Sequence, residues 1–407
     1  MALFFIALYL MSNLSDRINR LAESATLAMT RKSRELQAAG VDVINLSIGE
    51  PDFDTPEVVK EAAIQAIKDN ITHYSPVPGF PELRTAIANK LKRDNNLDYS
   101  PDQIVVSTGA KQSIANVVLS LVNPGDEVLL PSPYWVSYIE LVKMAEGIPV
   151  LLSASIDNDF KVTAEELDNA ITDKTKLIMF SSPCNPSGSS YSNEELESIA
   201  RVVASHEELY VIADEIYEHI IFEGTHASLA SFENVKDRVI TVNGVSKGFA
   251  MTGWRIGYIG APDWIVKACI KIQGQFTSGA STISQKAAEA AMKMDRKSTM
   301  AMRDIFLARR NLLLELLQDI PGLTTNVPAG AFYVFPNISS YLGKKFGEET
   351  IESASDLCMY LLDNANVALV TGEAFGEPDY IRISYACSED TIRESVNRIT
   401  SALAKLN

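Results

Sequence analysis

From about residue 100 onward the chain alternates short β-branched runs with amphipathic stretches. Strands are predicted over 103–107, 127–130, 148–153, 176–181, 210–214, 239–242 and 255–260. Helix-length segments at 111–121, 193–204 and 216–221 lie between several of them, opened or closed by Gly, Pro, Ser or Asn. Strand-helix alternation of this kind predicts an α/β fold with a mostly parallel sheet covered on both faces. After residue 300 the pattern becomes one long helix, 302–317, followed by short strands near 331–335, 367–370 and 380–385. That tail reads as a smaller α+β domain joined by the N-terminal segment, with divisions at 1–58, 59–300 and 301–407.

The first ten residues are almost wholly apolar, yet they are too short to span a bilayer and lack a basic lead or an A-x-A-like cleavage site. Met11 is an alternative start, because a charged, helix-like segment over 15–37 begins just after it.

Composition changes the picture in three ways. The 407 residues can bury a large core. The net charge of −16 argues against nucleic acid and anionic membranes, which need a basic footprint, and leaves a small molecule as the expected partner. The four cysteines, Cys184, Cys269, Cys358 and Cys387, are scattered without a C-x-x-C pair, so a reducing, cytoplasmic setting fits better than a disulfide framework. No His pair stands at zinc-ligand spacing, so no metal site is expected, and His219 reads as a helix-surface residue.

In a parallel sheet, ligands bind beyond the carboxyl ends of the strands. Gly109-Ala110-Lys111 stands at such an end, where a helix opens and free backbone N–H groups favour a phosphate; a tight turn explains the small residues equally. No Walker loop or G-x-G-x-x-G fingerprint occurs, which disfavours a nucleotide. Asp214 ends the apolar run Tyr-Val-Ile-Ala-Asp, where a buried carboxylate needs a cationic or hydrogen-bonding partner, unless it merely caps a helix. Tyr217 follows three residues later, on the same face of a helical turn. Lys247 sits among small and apolar residues at a strand end, where desolvation lowers an amine's pKa towards nucleophilic use, with Ser246 beside it and Arg255 eight residues on. A strand-end Lys, a nearby Arg and an upstream Asp together suit a Schiff base to pyridoxal 5'-phosphate.

The stretch Ser246-Lys247-x-x-Ala-Met-Thr-Gly-Trp-Arg255-Ile-Gly resembles the cofactor-lysine signature of class I aminotransferases, within fold type I of the pyridoxal-phosphate enzymes. Gly49-Glu-Pro-Asp-Phe, Thr-Gly-Ala-Lys-Gln, Pro133-Tyr134-Trp135, Pro183-Cys-Asn185-Pro-Ser-Gly188, Asp214-Glu-Ile-Tyr217, Gly330-Ala-Phe-Tyr and Tyr380-Ile-Arg382-Ile-Ser-Tyr follow the family's order through most of the chain. The pattern is most similar to bacterial aspartate aminotransferases of the group that includes aspartate/prephenate enzymes. The resemblance implies a seven-stranded sheet in the large domain and amino transfer from an L-amino acid, aspartate, to a 2-oxo acid, 2-oxoglutarate. It also implies that Lys247 carries the cofactor and moves the proton, that Asp214 faces the pyridine nitrogen, that Tyr217 and Asn185 reach its phenolic oxygen, and that Trp135 stacks on the ring. Gly109, Ala110, Lys111, Ser246 and Arg255 match the phosphate region, and Tyr74 matches a tyrosine supplied by the neighbouring subunit of a homodimer. Arg382 is implied as the grip on the substrate α-carboxylate, helped by Gly49, Asn185 and Trp135.

Two positions depart from the family pattern. Cys184 replaces a common Asn and should leave Asn185 usable, and Gly244 replaces a frequent Ser, at the cost of one phosphate contact at most. Ser24-Ala25-Thr26 matches an N-terminal segment that contributes Ser24 and Thr26 to substrate recognition in relatives. Prephenate-accepting relatives often carry a lysine just before that segment, whereas Leu21-Ala22-Glu23 has no cation, so aspartate and glutamate are expected as substrates and prephenate as a poor one. Other transaminases, β-lyases and non-catalytic regulators share the fold and remain alternatives.

Overall fold

The computed structural model describes residues 14–407; the apolar stretch 1–10 and the alternative start at Met11 lie outside the described residues. A short strand, β1 (Ile44–Asn45), pairs in parallel with Val367–Ala368. The main sheet is built from β2 (Ile104–Ser107), β3 (Glu127–Ser132), β4 (Ile148–Ser153), β5 (Thr175–Ser181), β6 (Tyr210–Asp214), β7 (Val239–Gly244) and β8 (Gly257–Gly260). Its seven strands run in the order β2-β8-β7-β6-β5-β3-β4. All neighbours are parallel except β8, which runs antiparallel to both β2 and β7.

The strands read as unbroken apolar runs because both faces are covered. Along β5, Leu177 and Met179 enter one core, with helices Ala110–Leu121, Ser137–Met144 and Asp263–Phe276; Ile178 and Phe180 enter the other, with Pro81–Asn95, Asn193–Ser205 and Thr282–Lys293. Strand periodicity thus sends alternate residues to opposite layers. Helix starts follow their caps: Ser192 and Glu195 form a reciprocal capping box at Asn193–Ser205. A further core gathers Phe306, Leu313, Phe332, Val334, Leu357, Leu361, Ile383 and Ile399, with Leu46 from the N-terminal segment. Around it lie helices Lys297–Gln318, Ala354–Ala365 and Glu389–Leu403 and a three-stranded antiparallel sheet, which make the smaller α+β part.

Register places the chemistry. Ser181, Asp214 and Val242 lie side by side at the carboxyl ends of β5, β6 and β7. Gly257 on β8 pairs with both Ser107 and Gly244, and a methyl group there would fall 2.1 Å from the Ala110 amide nitrogen. Only a bare Cα lets β8 pass this close to the start of the Ala110–Leu121 helix.

Several boundaries differ from expectation. The predicted helix at 216–221 is a series of turns, because its backbone bonds outward: Glu215 N–H donates to Val242 O and Ala331 N–H to Ile220 O. Its face is therefore buried, and His219 is not a surface residue: its ring packs on Phe249 at 5.0 Å and burial pushes its pKa down to about 4. The strand expected from Arg255 begins only at Gly257, since Arg255 takes a left-handed φ of +56°. The segment 15–37 divides into Asp16–Asn19 and Ala25–Ala38, and the long helix is extended to Lys297–Gln318.

Gly257→Ala is predicted to destabilise the fold by about 1–3 kcal/mol, as overpacking of a closed junction does. Calorimetric unfolding should show a lowered Tm, and an unchanged Tm would contradict this account of the β8 junction.

Candidate active site

One pocket at the carboxyl ends of β5, β6 and β7 gathers residues from across the chain. Its wall includes Ser24, Thr26, Gly49, Ala110, Lys111, Trp135, Asn185, Asp214, Tyr217, Ser246, Lys247, Arg255 and Arg382. Gly109, although outside this wall, is adjacent to it: it has a φ of +83°, and a methyl group there would lie 2.4 Å from an Arg255 guanidinium nitrogen. Of the residues picked from sequence, Tyr74 alone stands apart, fully exposed on the surface of the chain.

Four cations, Lys111, Lys247, Arg255 and Arg382, face this pocket against one carboxylate, Asp214. None of the four forms an ion pair with a carboxylate among the described residues. Arg382 is the extreme case at 2 % exposed. Its Nη1 donates to Asn185 Oδ1 at 2.9 Å and its Nη2 to Ser47 O at 2.6 Å, while Nε is buried without a partner. The Tyr333 and Phe375 rings flank the guanidinium at 4.6 and 5.1 Å, holding it flat. A buried, incompletely satisfied guanidinium of fixed orientation has the geometry to receive a carboxylate.

Asp214 and Lys247 likewise lack an opposite charge at ion-pair distance among the described residues. Burial pushes the Asp214 carboxyl up to about 6, despite the Tyr138 hydroxyl donating to Oδ2 at 2.8 Å and the Ile216 N–H to Oδ1 at 3.3 Å. A cation brought against it would restore the ionised form. Lys247 is brought down to about 8, first by burial, with Arg382 and Arg255 adding to the effect and Glu50 opposing it. Its Nζ donates to Gly49 O at 2.5 Å. Lys111 lies 4.9 Å over the Trp135 ring, and burial followed by the Arg255 charge lowers its pKa. Tyr217 Oη is 2.8 Å from Tyr333 Oη.

Sequence reasoning passed over several residues now in or beside the pocket. Tyr333 stands in the quoted Gly-Ala-Phe-Tyr motif without a role, and Thr252 in the lysine motif likewise. Tyr138 carries no sequence signal beyond its place three residues after Trp135. Behind the site, Glu215, Glu218 and His226 bring ligand atoms within 4.8 Å of one another. Lys90 Nζ and Asn243 Nδ2 already donate to Glu218, and Ser228 Oγ and His226 to Glu215, so protein groups satisfy these carboxylates.

A mostly parallel α/β sheet with Lys247 and Asp214 at the carboxyl edge of its strands, and Arg382 facing them from the smaller part, has the architecture of fold type I. The family model described as aminotransferase class I and II matches residues 41–399, and the chain belongs to that family. It is 50% identical to a bifunctional aspartate aminotransferase and glutamate/aspartate-prephenate aminotransferase of Petunia hybrida, over 97% of this chain and 83% of that protein. It is 42% identical to an aspartate/prephenate aminotransferase of Nitrosomonas europaea, over 96% and 100% of the two chains. Among solved structures, an aspartate aminotransferase from Rhizobium meliloti superposes with a TM-score of 0.93 at 41% identity, covering 97% of this chain and 100% of that one. A Thermus thermophilus aspartate aminotransferase with maleate gives 0.91 at 39% identity, covering 96% and 99%.

The depressed lysine predicts a pH signature in the ligand-free chain. Folding favours neutral Lys247, so between about pH 8 and 10.5 the unfolded chain binds more protons and stability rises with pH. Lys247→Met should remove that rise when urea unfolding is compared across this range. Parallel wild-type and mutant curves would contradict the depressed pKa.

Proposed function

We propose that the chain transfers an amino group from L-aspartate to 2-oxoglutarate using pyridoxal 5'-phosphate. The observation that carries the reading is one pocket that sets four cations without ion-pair partners among the described residues, Arg382 of them buried, around the buried Asp214 carboxylate, signs that match this cofactor and a dicarboxylate. When bound, the cofactor supplies an aldehyde that condenses with amines and a pyridinium ring that accepts electron density from the substrate Cα.

The residues present fit that group. Arg255, Ser246 and the Gly109-Ala110 helix start offer donors to its phosphate, at a cradle which any side chain on Gly109 would fill. Asp214, held by Tyr138, favours a protonated ring nitrogen and regains its own ionised form in doing so. Tyr217 and Asn185 are the hydrogen-bonding groups for the phenolic oxygen, and Trp135 is the stacking surface. Lys247, whose pKa of about 8 leaves an appreciable neutral fraction near neutral pH, is the covalent anchor and then the base that takes the proton from Cα.

Arg382 holds the α-carboxylate in a bidentate grip, with Asn185 fixing one end of the guanidinium. The distal carboxylate needs its own donor, since burying it unpaired is expensive. Lys111, read from sequence as a phosphate ligand, shares the pocket wall with Ser24 and Thr26 and has no carboxylate partner among the described residues, so we assign it to the distal carboxylate with those two hydroxyls. Tyr74 is proposed to complete the phosphate site of a second copy, in a homodimer. The scattered, unpaired cysteines support a cytoplasmic setting; among the described residues no helix is long and apolar enough to cross a membrane. Prephenate is the second reading, on the names of the Petunia and Nitrosomonas relatives.

Lys247→Ala should lose the visible absorption of the cofactor-loaded protein and about 10⁴-fold or more of its turnover, since anchor and base vanish together. A mutant that keeps both would refute the assignment. Lys111→Met should lower kcat/KM for aspartate by about 10- to 100-fold and that for phenylalanine by less than about threefold. In the wild type, prephenate should be turned over more slowly than oxaloacetate. Equal losses on both amino acids, or prephenate matching oxaloacetate, would overturn the substrate assignment.

A further inference from the structure

Segment 46–55 touches both sides of the pocket. The Ser384 N–H donates to Leu46 O at 3.0 Å, and Arg382 Nη2 donates to Ser47 O at 2.6 Å. Two residues on, Lys247 donates to Gly49 O, and Glu50 accepts from the Thr252 hydroxyl. At its far end Thr55 donates to Ala250 O at 2.8 Å and accepts from Trp254 Nε1 at 3.0 Å. The segment therefore carries two carbonyls that orient the carboxylate-binding arginine and the reactive lysine, which belong to different parts of the fold. Its approach is tight: a methyl group on Gly49 would lie 2.4 Å from Tyr333 Oη.

Between those contacts one side chain ties the strap to the long helix Lys297–Gln318. Asp52 receives both Arg309 terminal nitrogens, Nη1 at 2.6 Å and Nη2 at 2.9 Å. Arg309 is buried and packs against both the Phe53 and Phe306 rings, 5.3 and 5.7 Å from their centroids, and Phe53 meets Phe306 edge-on at 5.4 Å. The stack continues through Phe306 on Phe332 at 5.1 Å to Lys247, whose Nζ stands 5.9 Å over Phe332. A bidentate fork packed against two rings fixes direction as well as distance, which a single hydrogen bond does not. Neither Asp52 nor Arg309 faces the pocket.

We propose that the Asp52–Arg309 pair is a positioning latch for the carboxylate-binding Arg382, acting through the carbonyl of Ser47. This rests on the assignment of Arg382 to the α-carboxylate. With the latch loosened, the Ser47 carbonyl no longer fixes Arg382, and both amino and oxo substrates lose the same grip. Asp214, Tyr217 and Lys247 keep their support from β6 and β7, so the chemical step suffers less than binding.

The test uses the cofactor-loaded protein with Asp52→Asn and Asp52→Ala. As a control for general loss of stability it uses Tyr341→Phe, which removes a hydroxyl bonded to Pro321 O away from the pocket. Expected for both Asp52 variants is a rise of about tenfold in KM for aspartate, for 2-oxoglutarate and in the inhibition constant of succinate, with kcat lowered by less than about threefold. Hydrogen exchange across 46–55 should quicken in the same variants and not in Tyr341→Phe. Unchanged KM values, a fall in kcat alone, or unaltered exchange in Asp52→Asn would each overturn the latch. A wild type that binds neither aspartate nor succinate would sink the substrate assignment instead, and the exchange comparison would still decide whether Asp52 holds the strap.

Discussion

Burying charge without an internal counter-charge is the constraint on which the site depends. Arg382 and Asp214 are buried and Lys247 is partly buried, and each lacks an opposite charge within ion-pair distance among the described residues. Desolvation therefore pulls both cations towards neutrality and the carboxylate towards protonation. Such groups do not arrange themselves; a rigid frame must hold them apart from water and from one another. Parallel strands buried on both faces provide it, by setting Asp214 next to Ser181 and Val242 and leaving only the loop after each strand to carry chemistry.

That constraint also explains the flanking architecture. Tyr138 supplies one hydrogen bond to Asp214, enough to orient the carboxylate but too little to ionise it fully. The buried Lys90–Glu218 pair and its Asn95 and Asn243 bonds fasten the turn that follows β6 to β7, so Tyr217 and Lys247 are presented from braced backbone. Arg382 is held flat between rings while its Nε stays unbonded, which leaves recognition capacity for a planar anion.

Much of this was legible in the chain. Unbroken apolar runs ending in Asp214 and near Lys247 marked the strands, because central strands covered on both faces cannot show polar alternation. The ordered motifs marked the family. Less legible were features made by contacts between distant segments. The stretch 216–221 has helical composition, but the Glu215 N–H just before it bonds to β7 and its own Ile220 carbonyl to Ala331, and that burial made His219 an interior residue instead of a surface one. Arg255 looked like the start of a strand, yet its positive φ bends the chain so that its guanidinium meets Gly109. Tyr138 and Asp52 stand in plain helical or loop contexts, and only the folded chain brings them to Asp214 and Arg309.

Lys247 is proposed as the amine that holds the cofactor, since the fold sets it partly buried beside Asp214 and two arginines, with its pKa brought down to about 8. Borohydride reduction of the protein loaded with pyridoxal 5'-phosphate, followed by peptide mass mapping, tests it most directly, since reduction fixes the group on whichever amine holds it. The account predicts a single pyridoxyl adduct on the peptide containing Lys247. An adduct on Lys111, or label spread over surface lysines, would contradict it.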